Sequence, residues 1–213
     1  MKKAILFDLD GTLWDATEST CAIWNLVFDR HKEVTFRMTQ ERITNLMGKT
    51  IPEIEEDLFP QMAEEQRKAI VGEVCREEIG YLAENGAVLY DGLEETLEKL
   101  SREYGLHIVS NCEDGYVQAF LHAHKLGGYF TDMEMAGRTG LDKGKNIRLL
   151  MERNRITSAV FVGDTASDER AARDAGIPFI WARYGFGEAV SPDGILASIT
   201  DLPTVLSKLS GRI

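Results

Sequence analysis

Two aspartates near the start of the chain, Asp8 and Asp10, have the residue type and spacing that most directly suggest chemistry. They follow an apolar run, residues 4–7, that is typical of a short buried strand. Side chains two positions apart on an extended segment point the same way, so the two carboxylates are expected side by side. Gly11 then lets the chain turn sharply after them.

Close carboxylates repel each other unless a cation or a shared proton separates them. A hard divalent cation with oxygen ligands, most often Mg²⁺, meets that need, so the pair predicts a metal or catalytic site. A turn with two solvated aspartates is the simpler alternative. A calcium loop of the EF-hand kind is disfavoured, because its later acidic positions are missing after Gly11.

Polar residues also stand at two other predicted strand ends. Ser110 and Asn111 follow one apolar run, where the serine hydroxyl and the next backbone N–H groups could receive a phosphate oxygen. A Ser-Asn pair that only caps the next helix is the more common arrangement. Asp164 follows a second apolar run, and nothing near it in sequence pairs with it. Asp168 opens the next helix, where an acidic residue also favours the helix dipole.

A lysine could supply the positive charge that a phosphate needs. Lys143 lies just before a predicted helix start, where its ammonium could contact a phosphate as a point charge. Lys145, two residues later, is a competitor, and a lysine in an exposed loop is more often simply solvated. The residues alone therefore leave the choice between Lys143 and Lys145 open.

The elements that must position these residues fall into two blocks. Residues 15 to about 85 have helical patterns, and the chain after Asn85-Gly86 alternates strands with helices. This alternation predicts an α/β fold, with a parallel sheet covered by helices on both faces. The N-terminal strand must join that sheet, because one strand is not stable alone. The helical block, residues 15–87, is thus predicted to be an insertion in a core formed by residues 1–14 and 88–213.

The 213-residue chain carries a net charge of −11. Because nucleic acids and anionic membranes are polyanions, neither is expected as a partner. The three cysteines form no CxxC pair, which suits free thiols in a reducing cytosol. The first strand begins near residue 3, which leaves no room for a cleaved signal peptide, and no apolar run reaches the roughly 20 residues of a spanning helix. A cytoplasmic location is therefore expected, and the oligomeric state stays open.

The four motifs together resemble the haloacid dehalogenase superfamily of phosphohydrolases over nearly the whole chain. The segment DLDGT, residues 8–12, matches the family's first motif, DxDGT, and Ser110-Asn111 matches the second. Lys143 matches the third, although many relatives have Lys-Pro there and this chain has Gly144 next. The segment GDTASD, residues 163–168, matches the fourth. The resemblance implies a three-layer Rossmann-like core and an α-helical cap, as in the subfamily that includes phosphoglycolate phosphatase and β-phosphoglucomutase.

The resemblance also implies a role for each matched residue. Asp8 would be the nucleophile that forms an aspartyl-phosphate, and Asp10 the general acid and then the general base. Mg²⁺ would be held by Asp8, the backbone carbonyl of Asp10 and Asp164, with Asp168 acting directly or through water. The phosphoryl oxygens would be held by Ser110, Lys143 and the backbone N–H groups near Leu9 and Asn111.

Substrate specificity would come from the cap and the mouth of the site, because the cap closes over the substrate. The candidate residues are Trp14, Met47, Gly48 and Lys49. Lys49, in a turn between two cap helices, could meet an anionic group on the leaving portion. A solvated turn lysine fits the sequence equally well.

The implied function is a Mg²⁺-dependent phosphatase that hydrolyses a small phosphomonoester, so the expected partner is a small phosphorylated metabolite. A sugar phosphomutase similar to β-phosphoglucomutase is an alternative that the first motif leaves open. A non-catalytic phosphate-binding regulator is disfavoured, because every motif residue is present. Dehalogenase and phosphonatase activities are also disfavoured, because those relatives lack the second aspartate and Asp10 is present here.

Overall fold

Strands and helices alternate along most of the chain, whose computed structural model describes residues 3–209. Within that range the strands are β1 (Lys3–Phe7), β2 (Trp14–Asp15), β3 (Val88–Leu89), β4 (Gly105–Ser110), β5 (Phe130–Met135), β6 (Ser158–Gly163), β7 (Phe179–Ala182) and β8 (Gly194–Leu196). The α-helices of the same range are α1 (Thr17–Phe28), α2 (Gln40–Leu46), α3 (Ile51–Leu58), α4 (Glu64–Asn85), α5 (Leu93–Ser101), α6 (Tyr116–His124), α7 (Ala136–Thr139), α8 (Lys143–Arg153), α9 (Ala166–Ala175) and α10 (Leu202–Lys208). None of these helices combines the length and the apolar composition needed to cross a membrane. Residues 1–2 and 210–213 of the predicted core lie outside the described part.

The large sheet has the strand order β5-β4-β1-β6-β7-β8. Each neighbouring pair in it is parallel. Parallel neighbours need crossover connections, which the helices between the strands supply. This topology confirms the predicted α/β class and its Rossmann-like parallel sheet.

Both faces of the sheet are buried, as the central strand β1 shows. Ile5 and Phe7 pack into one apolar cluster with side chains of α5, α6 and α10. Ala4 and Leu6 pack into another cluster with side chains of α8 and α9. Since alternate residues of a strand point to opposite faces, the continuous apolar run of β1 reflects cover on two sides. The sheet is therefore the middle of the three predicted layers.

Helices α1 to α4 have an apolar cluster of their own. It includes Trp24 and Phe28 of α1 and Val71 and Val74 of α4, all buried. A separate cluster is what an inserted cap would need in order to fold as a unit. Strands β2 and β3, which were not predicted, pair antiparallel where the chain enters and leaves this block. The domain limits at residues 14/15 and 87/88 stay a prediction.

The sheet brings three of the sequence motifs to one edge. Strand β1 lies between β4 and β6, so the carboxyl ends of these three parallel strands are neighbours. Asp8 follows β1, Ser110 ends β4 and Asp164 follows β6. Ligands of open parallel sheets bind beyond this edge, where the strand order reverses. The fold thus places the three motifs side by side in the position typical of a binding site.

Candidate active site

Three carboxylates converge at the carboxyl edge of the sheet. Asp8, Asp164 and Asp168 each offer an oxygen, and these oxygens all lie within 4.8 Å of one another. The three residues are buried, with exposed fractions of 3%, 0% and 0%. Like charges this close in a buried place repel strongly. The cluster therefore needs positive charge near it.

Asp164 shows most clearly where a cation fits. Its Oδ2 accepts a hydrogen bond from the backbone N–H of Phe186 at 2.7 Å, whereas its buried Oδ1 has no hydrogen-bond partner among residues 3–209. Burial, and then the charges of Asp168 and Asp8, raise the pKa of Asp164 well above its usual value. A hard divalent cation would satisfy this oxygen and offset the repulsion. The carboxylates present thus fit such a cation.

Gly11 shows how closely the first motif approaches Asp164. Its φ is +75°, and a Cβ at this position would lie 2.3 Å from Asp164 Oδ2. Any side chain here would strain the backbone and displace the carboxylate. The glycine is therefore required by the contact between the first and fourth motifs as well as by the turn.

Asp168 already has partners for both of its oxygens. Its Oδ1 accepts a hydrogen bond from Lys143 Nζ at 2.6 Å. Its Oδ2 accepts hydrogen bonds from the backbone N–H of Thr165 at 3.0 Å and from the Thr165 hydroxyl at 2.6 Å, which closes a capping box at the start of α9. Direct metal binding by Asp168 would have to replace one of these contacts. In the structure Asp168 holds Lys143 and caps the helix.

Lys143 supplies positive charge from the protein itself. Its ammonium lies 2.8 Å from Asp8 Oδ1 and 2.6 Å from Asp168 Oδ1. Burial alone would lower the pKa of Lys143, but the two carboxylates raise it above its usual value, so the lysine stays charged. Lys145, by contrast, is exposed and pairs with Asp142 at 2.6 Å. The structure thus brings Lys143, and not Lys145, into the cluster.

Asp8 lies between the lysine and the other carboxylates. Burial, with a further contribution from Asp168, raises the pKa of Asp8 to about 6, whereas Lys143 and a hydrogen bond from the backbone of Leu9 lower it. A carboxylate nucleophile must be ionised, and the ammonium beside it favours that form. The backbone N–H of Leu9, which was predicted to bind phosphate, donates this hydrogen bond to the Asp8 carboxylate.

Asp10 has a different environment, although it is only two residues away. Its Oδ1 accepts hydrogen bonds from the indole Nε1 of Trp14 at 2.9 Å and from the hydroxyl of Tyr116 at 3.0 Å. Burial, and then the charge of Asp8, raise the pKa of Asp10 to about 7, although the hydrogen bonds from Tyr116 and Trp14 lower it. A carboxyl group that titrates near neutral pH is suited to giving and taking a proton. The carboxylate of Asp10 is not among the three clustered ones, and a metal contact through its backbone carbonyl stays a prediction.

Trp14 lies elsewhere than predicted. It was expected to contact substrate at the mouth, but its side chain is fully buried. Its ring packs edge-on against Tyr116 and Phe120, with centroids 5.7 Å and 5.1 Å away. The apolar surface of a large indole favours this position in the core, and its N–H is satisfied by Asp10. Trp14 therefore orients Asp10 and does not reach the mouth.

The cap turn formed by Met47, Gly48 and Lys49 touches two loops of the core. The side-chain amide of Asn111 donates a hydrogen bond to the carbonyl oxygen of Gly48 at 2.7 Å. Gly48 has a φ of +80°, and a Cβ there would lie 3.2 Å from the Thr165 side chain. The turn thus contacts the second motif through Asn111 and the fourth through Thr165.

Lys49 has an acidic partner within the cap. Its ammonium forms an ion pair with Asp57 of α3, and its side chain is 39% exposed. The sequence allowed either a solvated lysine or a contact with an anionic leaving portion, and this pairing is a third arrangement. A contact between Lys49 and substrate stays a prediction.

One cavity joins the carboxylate cluster to the cap. On the core side it is lined by Asp8, Asp10, Ser110, Asn111 and Lys143. The cap contributes the turn of residues 47–49 and a mostly apolar wall that includes Trp24, Ile43, Leu46, Ile51, Ile54 and Ile79. Two polar side chains of the cap, Thr20 and Glu78, also line it.

Glu78 was not predicted, although the sequence contains a signal for it. Val71, Val74, Cys75 and Leu82 form the buried stripe of α4, and Glu78 occupies a position on the same stripe. An acidic residue on an apolar helix face is rarely buried without a reason. Tyr116 had no comparable signal, because it reaches Asp10 across 106 positions of sequence.

Comparison with known proteins identifies the family. The sequence profile described as haloacid dehalogenase-like hydrolase matches residues 5–182. A phosphoglycolate phosphatase of Escherichia coli strain K12 is 30% identical to this chain, over 94% of this chain and 90% of that protein.

Solved structures share the fold. A hydrolase of the haloacid dehalogenase-like family from Streptococcus pneumoniae has a TM-score of 0.81 at 22% identity, covering 96% of this chain and 98% of the other. CbbY from Rhodobacter sphaeroides, solved in complex with phosphate, has a TM-score of 0.81 at 23% identity, covering 95% and 96%. The chain therefore belongs to the haloacid dehalogenase-like hydrolases, and it is an enzyme of the phosphatase kind within that family.

Proposed function

We propose that this enzyme hydrolyses a small phosphomonoester in a Mg²⁺-dependent reaction that passes through an aspartyl-phosphate on Asp8. The observation that supports this most directly is the contrast between two neighbouring carboxylates. Asp8 lies in a cluster with two other carboxylates and Lys143, whereas Asp10 is held apart by Trp14 and Tyr116. The first arrangement suits attack beside a metal ion, and the second suits proton transfer.

In the first half of the proposed reaction, an ionised oxygen of Asp8 attacks the phosphorus atom. The bond between phosphorus and the leaving oxygen breaks, and Asp10 gives its proton to that oxygen, so the leaving group departs as an alcohol. The phosphoryl oxygens are held meanwhile by Ser110, Lys143 and the backbone N–H groups near Asn111, and the Leu9 N–H joins them only if it leaves the Asp8 carboxylate.

In the second half, Asp10 is ionised and acts as a base. It takes a proton from a water molecule whose oxygen attacks phosphorus, and the bond from phosphorus to Asp8 breaks. Inorganic phosphate leaves, and both aspartates return to their starting forms. A pKa of about 7 for Asp10 supports both steps, because neither protonation state is strongly disfavoured near neutral pH.

Mg²⁺ is the proposed cation, held by Asp8, Asp164 and the backbone carbonyl of Asp10, with Asp168 nearby. When bound, it supplies positive charge that offsets the repulsion between the Asp8 carboxylate and an anionic phosphate. The backbone N–H of Phe186 fixes Oδ2 of Asp164, which leaves Oδ1 for a ligand. Oxygen ligands of this kind suit Mg²⁺.

The substrate is proposed to be a small phosphorylated metabolite. The cavity that leads to Asp8 is covered by the cap, and most of its outer wall is apolar. The Escherichia coli relative is named for a small phosphomonoester, phosphoglycolate. Both observations support a leaving portion of only a few atoms.

The test measures phosphate release and phosphoenzyme formation with an alkyl and an aryl phosphate. We expect a chelator to abolish activity and Mg²⁺ to restore it, with Ca²⁺ substituting poorly. Asp8→Asn should form no phosphoenzyme. Asp10→Asn should lose about 10²–10⁴-fold with the alkyl ester and less with the aryl ester, whose leaving group needs less protonation.

Asp29→Asn is the matched control, because it removes one exposed aspartate of the cap whose ion-pair partner is Arg37. It should behave like the native protein. Full activity in chelator, or a phosphoenzyme in Asp8→Asn, would overturn the proposal.

A further inference from the structure

We infer that Glu78 selects the leaving group, and that the preferred substrates are small alkyl phosphomonoesters whose leaving portion carries a hydrogen-bond donor and no second anion. The donor is a hydroxyl or an ammonium group. This inference rests on the proposed function, because it concerns the part of the substrate that departs from phosphorus.

Glu78 is a buried carboxylate in the wall of the cavity. It is 8% exposed, and its Oε1 accepts a hydrogen bond from the hydroxyl of Thr20 at 2.6 Å. Burial raises the pKa of Glu78 to about 7, although hydrogen bonds from Thr20 and Trp24 lower it, and no cation of the described residues contributes. A buried acidic group without a charged partner costs stability. A ligand that brings a donor to this carboxylate would explain why the cap contains it.

The position of Glu78 is on the side where the leaving group departs. Asp10 protonates the leaving oxygen in the proposed reaction, so the leaving portion lies beside Asp10. Glu78, Asp10 and Tyr116 all line the same cavity. A short leaving portion beside Asp10 would therefore extend toward Glu78.

The charges of the cavity disfavour a leaving portion with a second anion. Within residues 3–209 two lysines line it, and both already have carboxylate partners. Lys143 contacts Asp8 and Asp168, and Lys49 contacts Asp57. An anionic group would meet Glu78 without a free cation, and like charges in a buried site repel. A hydroxyl or ammonium group would instead find an acceptor, and the apolar cap wall suits its carbon chain.

Thr20 fixes the direction of the Glu78 carboxylate. The threonine lies on α1 and the glutamate on α4, so their hydrogen bond also joins the first and last cap helices. If this bond is purely structural, substitution of Glu78 should change kcat/KM by the same factor for every substrate. If Glu78 selects the leaving group, the change should depend on the group at the far end of the leaving portion.

The experiment compares four small phosphomonoesters that differ at the far end of the leaving portion. O-phosphoethanolamine has an ammonium group, 2-hydroxyethyl phosphate a hydroxyl, propyl phosphate a methyl and phosphoglycolate a carboxylate. We expect kcat/KM of the native enzyme to be highest for the two donors and lowest for the carboxylate. Turnover of an aryl phosphate measures the phosphoryl-transfer steps that all the substrates share.

Glu78→Gln keeps the shape of the side chain and an acceptor for Thr20, but it removes the charge. We expect kcat/KM to fall about 10- to 100-fold for phosphoethanolamine, to fall less for the hydroxyethyl ester and to change little for the propyl ester. For phosphoglycolate it should rise. Glu77→Gln is the matched control, because Glu77 is the next residue of α4, exposed and paired with Arg30. It should leave the order of the four substrates unchanged.

Each outcome decides the inference. The inference is overturned if the native enzyme prefers phosphoglycolate to propyl phosphate, or if it hydrolyses the aryl ester but none of the four alkyl esters. If Glu78→Gln changes kcat/KM for all four esters by the same factor, the role of Glu78 is structural. Thermal unfolding and aryl phosphate turnover show that each variant is folded. Absence of Mg²⁺-dependent turnover of the aryl ester by the native enzyme would instead contradict the proposed function.

Discussion

Asp8 and Asp10 are chemically identical residues whose neighbours give them different properties. Asp8 contacts Lys143, and its pKa is raised to about 6. Asp10 accepts hydrogen bonds from two uncharged donors, Trp14 and Tyr116, and its pKa is raised to about 7. Environments that separate the pKa values of two carboxyl groups commonly separate their roles. The more acidic of the two is the proposed nucleophile, and the less acidic is the proposed acid.

Tyr116→Phe tests how Asp10 is tuned. The hydroxyl of Tyr116 stabilises the ionised form of Asp10, so its loss should raise the pKa of Asp10. A general acid must be protonated, and activity with an alkyl ester falls as pH rises through its pKa. The alkaline limb of the kcat/KM profile is therefore expected to move to higher pH, by on the order of one unit.

Tyr129→Phe is the control, because its hydroxyl bonds to the exposed Glu94 and lies outside the cavity. Its pH profile should match that of the native enzyme. A limb that moves to lower pH in Tyr116→Phe, or that stays in place, would show that Tyr116 does not act on the acid.

The residues that carry a local sequence pattern could be predicted, and the residues that act across the fold could not. Asp8 and Asp164 follow apolar runs, and the structure places them together. Trp14 was expected at the mouth of the site, but its aromatic surface takes it into the core. Tyr116 reaches Asp10 through the packing of α6, which no short segment encodes. Glu78 did have a local signal, because it is an acidic residue on the buried stripe of α4.

At the scale of elements, the turn between α2 and α3 joins the cap to the core. Gly48 in this turn has a φ of +80° and lies against Thr165, while its carbonyl accepts a hydrogen bond from Asn111. In the left-handed region a non-glycine residue costs about 1–2 kcal/mol. Gly48→Ala should therefore disturb the fit of the cap turn and lower kcat/KM about 5- to 30-fold for alkyl and aryl esters alike.

Gly80→Ala is the matched control in the same block of helices. Gly80 lies inside α4, and a Cβ there would meet no other described part of the chain within 4 Å. Alanine at an exposed helix interior should add up to about 1 kcal/mol of unfolding free energy and leave the kinetics unchanged. Steady-state kinetics and thermal unfolding compare the two variants. Equal kinetic losses in both would mean that the turn geometry of Gly48 has no special role.

The alternation of strands and helices could be predicted, and several element limits have local causes. Strand β5 begins at Phe130, ahead of its apolar half, because Arg153 and Asn154 at the end of α8 hydrogen-bond to Asp132. Helix α8 begins at Lys143, since the Asp142 side chain accepts a hydrogen bond from the backbone N–H of Lys145, three residues further on. Strands β2 and β3 have two residues each, too few for a periodic pattern.

At the scale of the whole molecule, folding buries carboxyl groups that water would solvate in the unfolded chain. The pKa is about 6 for Asp8, about 7 for Asp10 and Glu78, and well above the usual value for Asp164. In an unfolded chain such groups titrate near 4. Between about pH 4 and pH 7 these four groups thus bind more protons in the folded protein than in the unfolded one. For these groups, the stability of the metal-free protein must fall as pH rises through that window.

Asp164→Asn tests this balance between protons, metal and stability. Mg²⁺ at about 100 times its Kd should add about 2.7 kcal/mol to the native protein, or about 5–10 °C in Tm for a chain of this length. The gain should be smaller at pH 5 than at pH 7.5, because protons compete with the cation for Asp8 and Asp164.

In Asp164→Asn, the asparagine can still accept the hydrogen bond from Phe186, but the substitution removes one buried charge. The metal-free variant should therefore be more stable than the metal-free native protein at pH 7.5, and Mg²⁺ should no longer shift its Tm. Asp29→Asn, which removes an exposed charge, should keep the native response. If metal-free Asp164→Asn has a lower Tm than the metal-free native protein, the charge of Asp164 does not destabilise the fold. If Mg²⁺ still raises the Tm of the variant, the cation is bound by other residues.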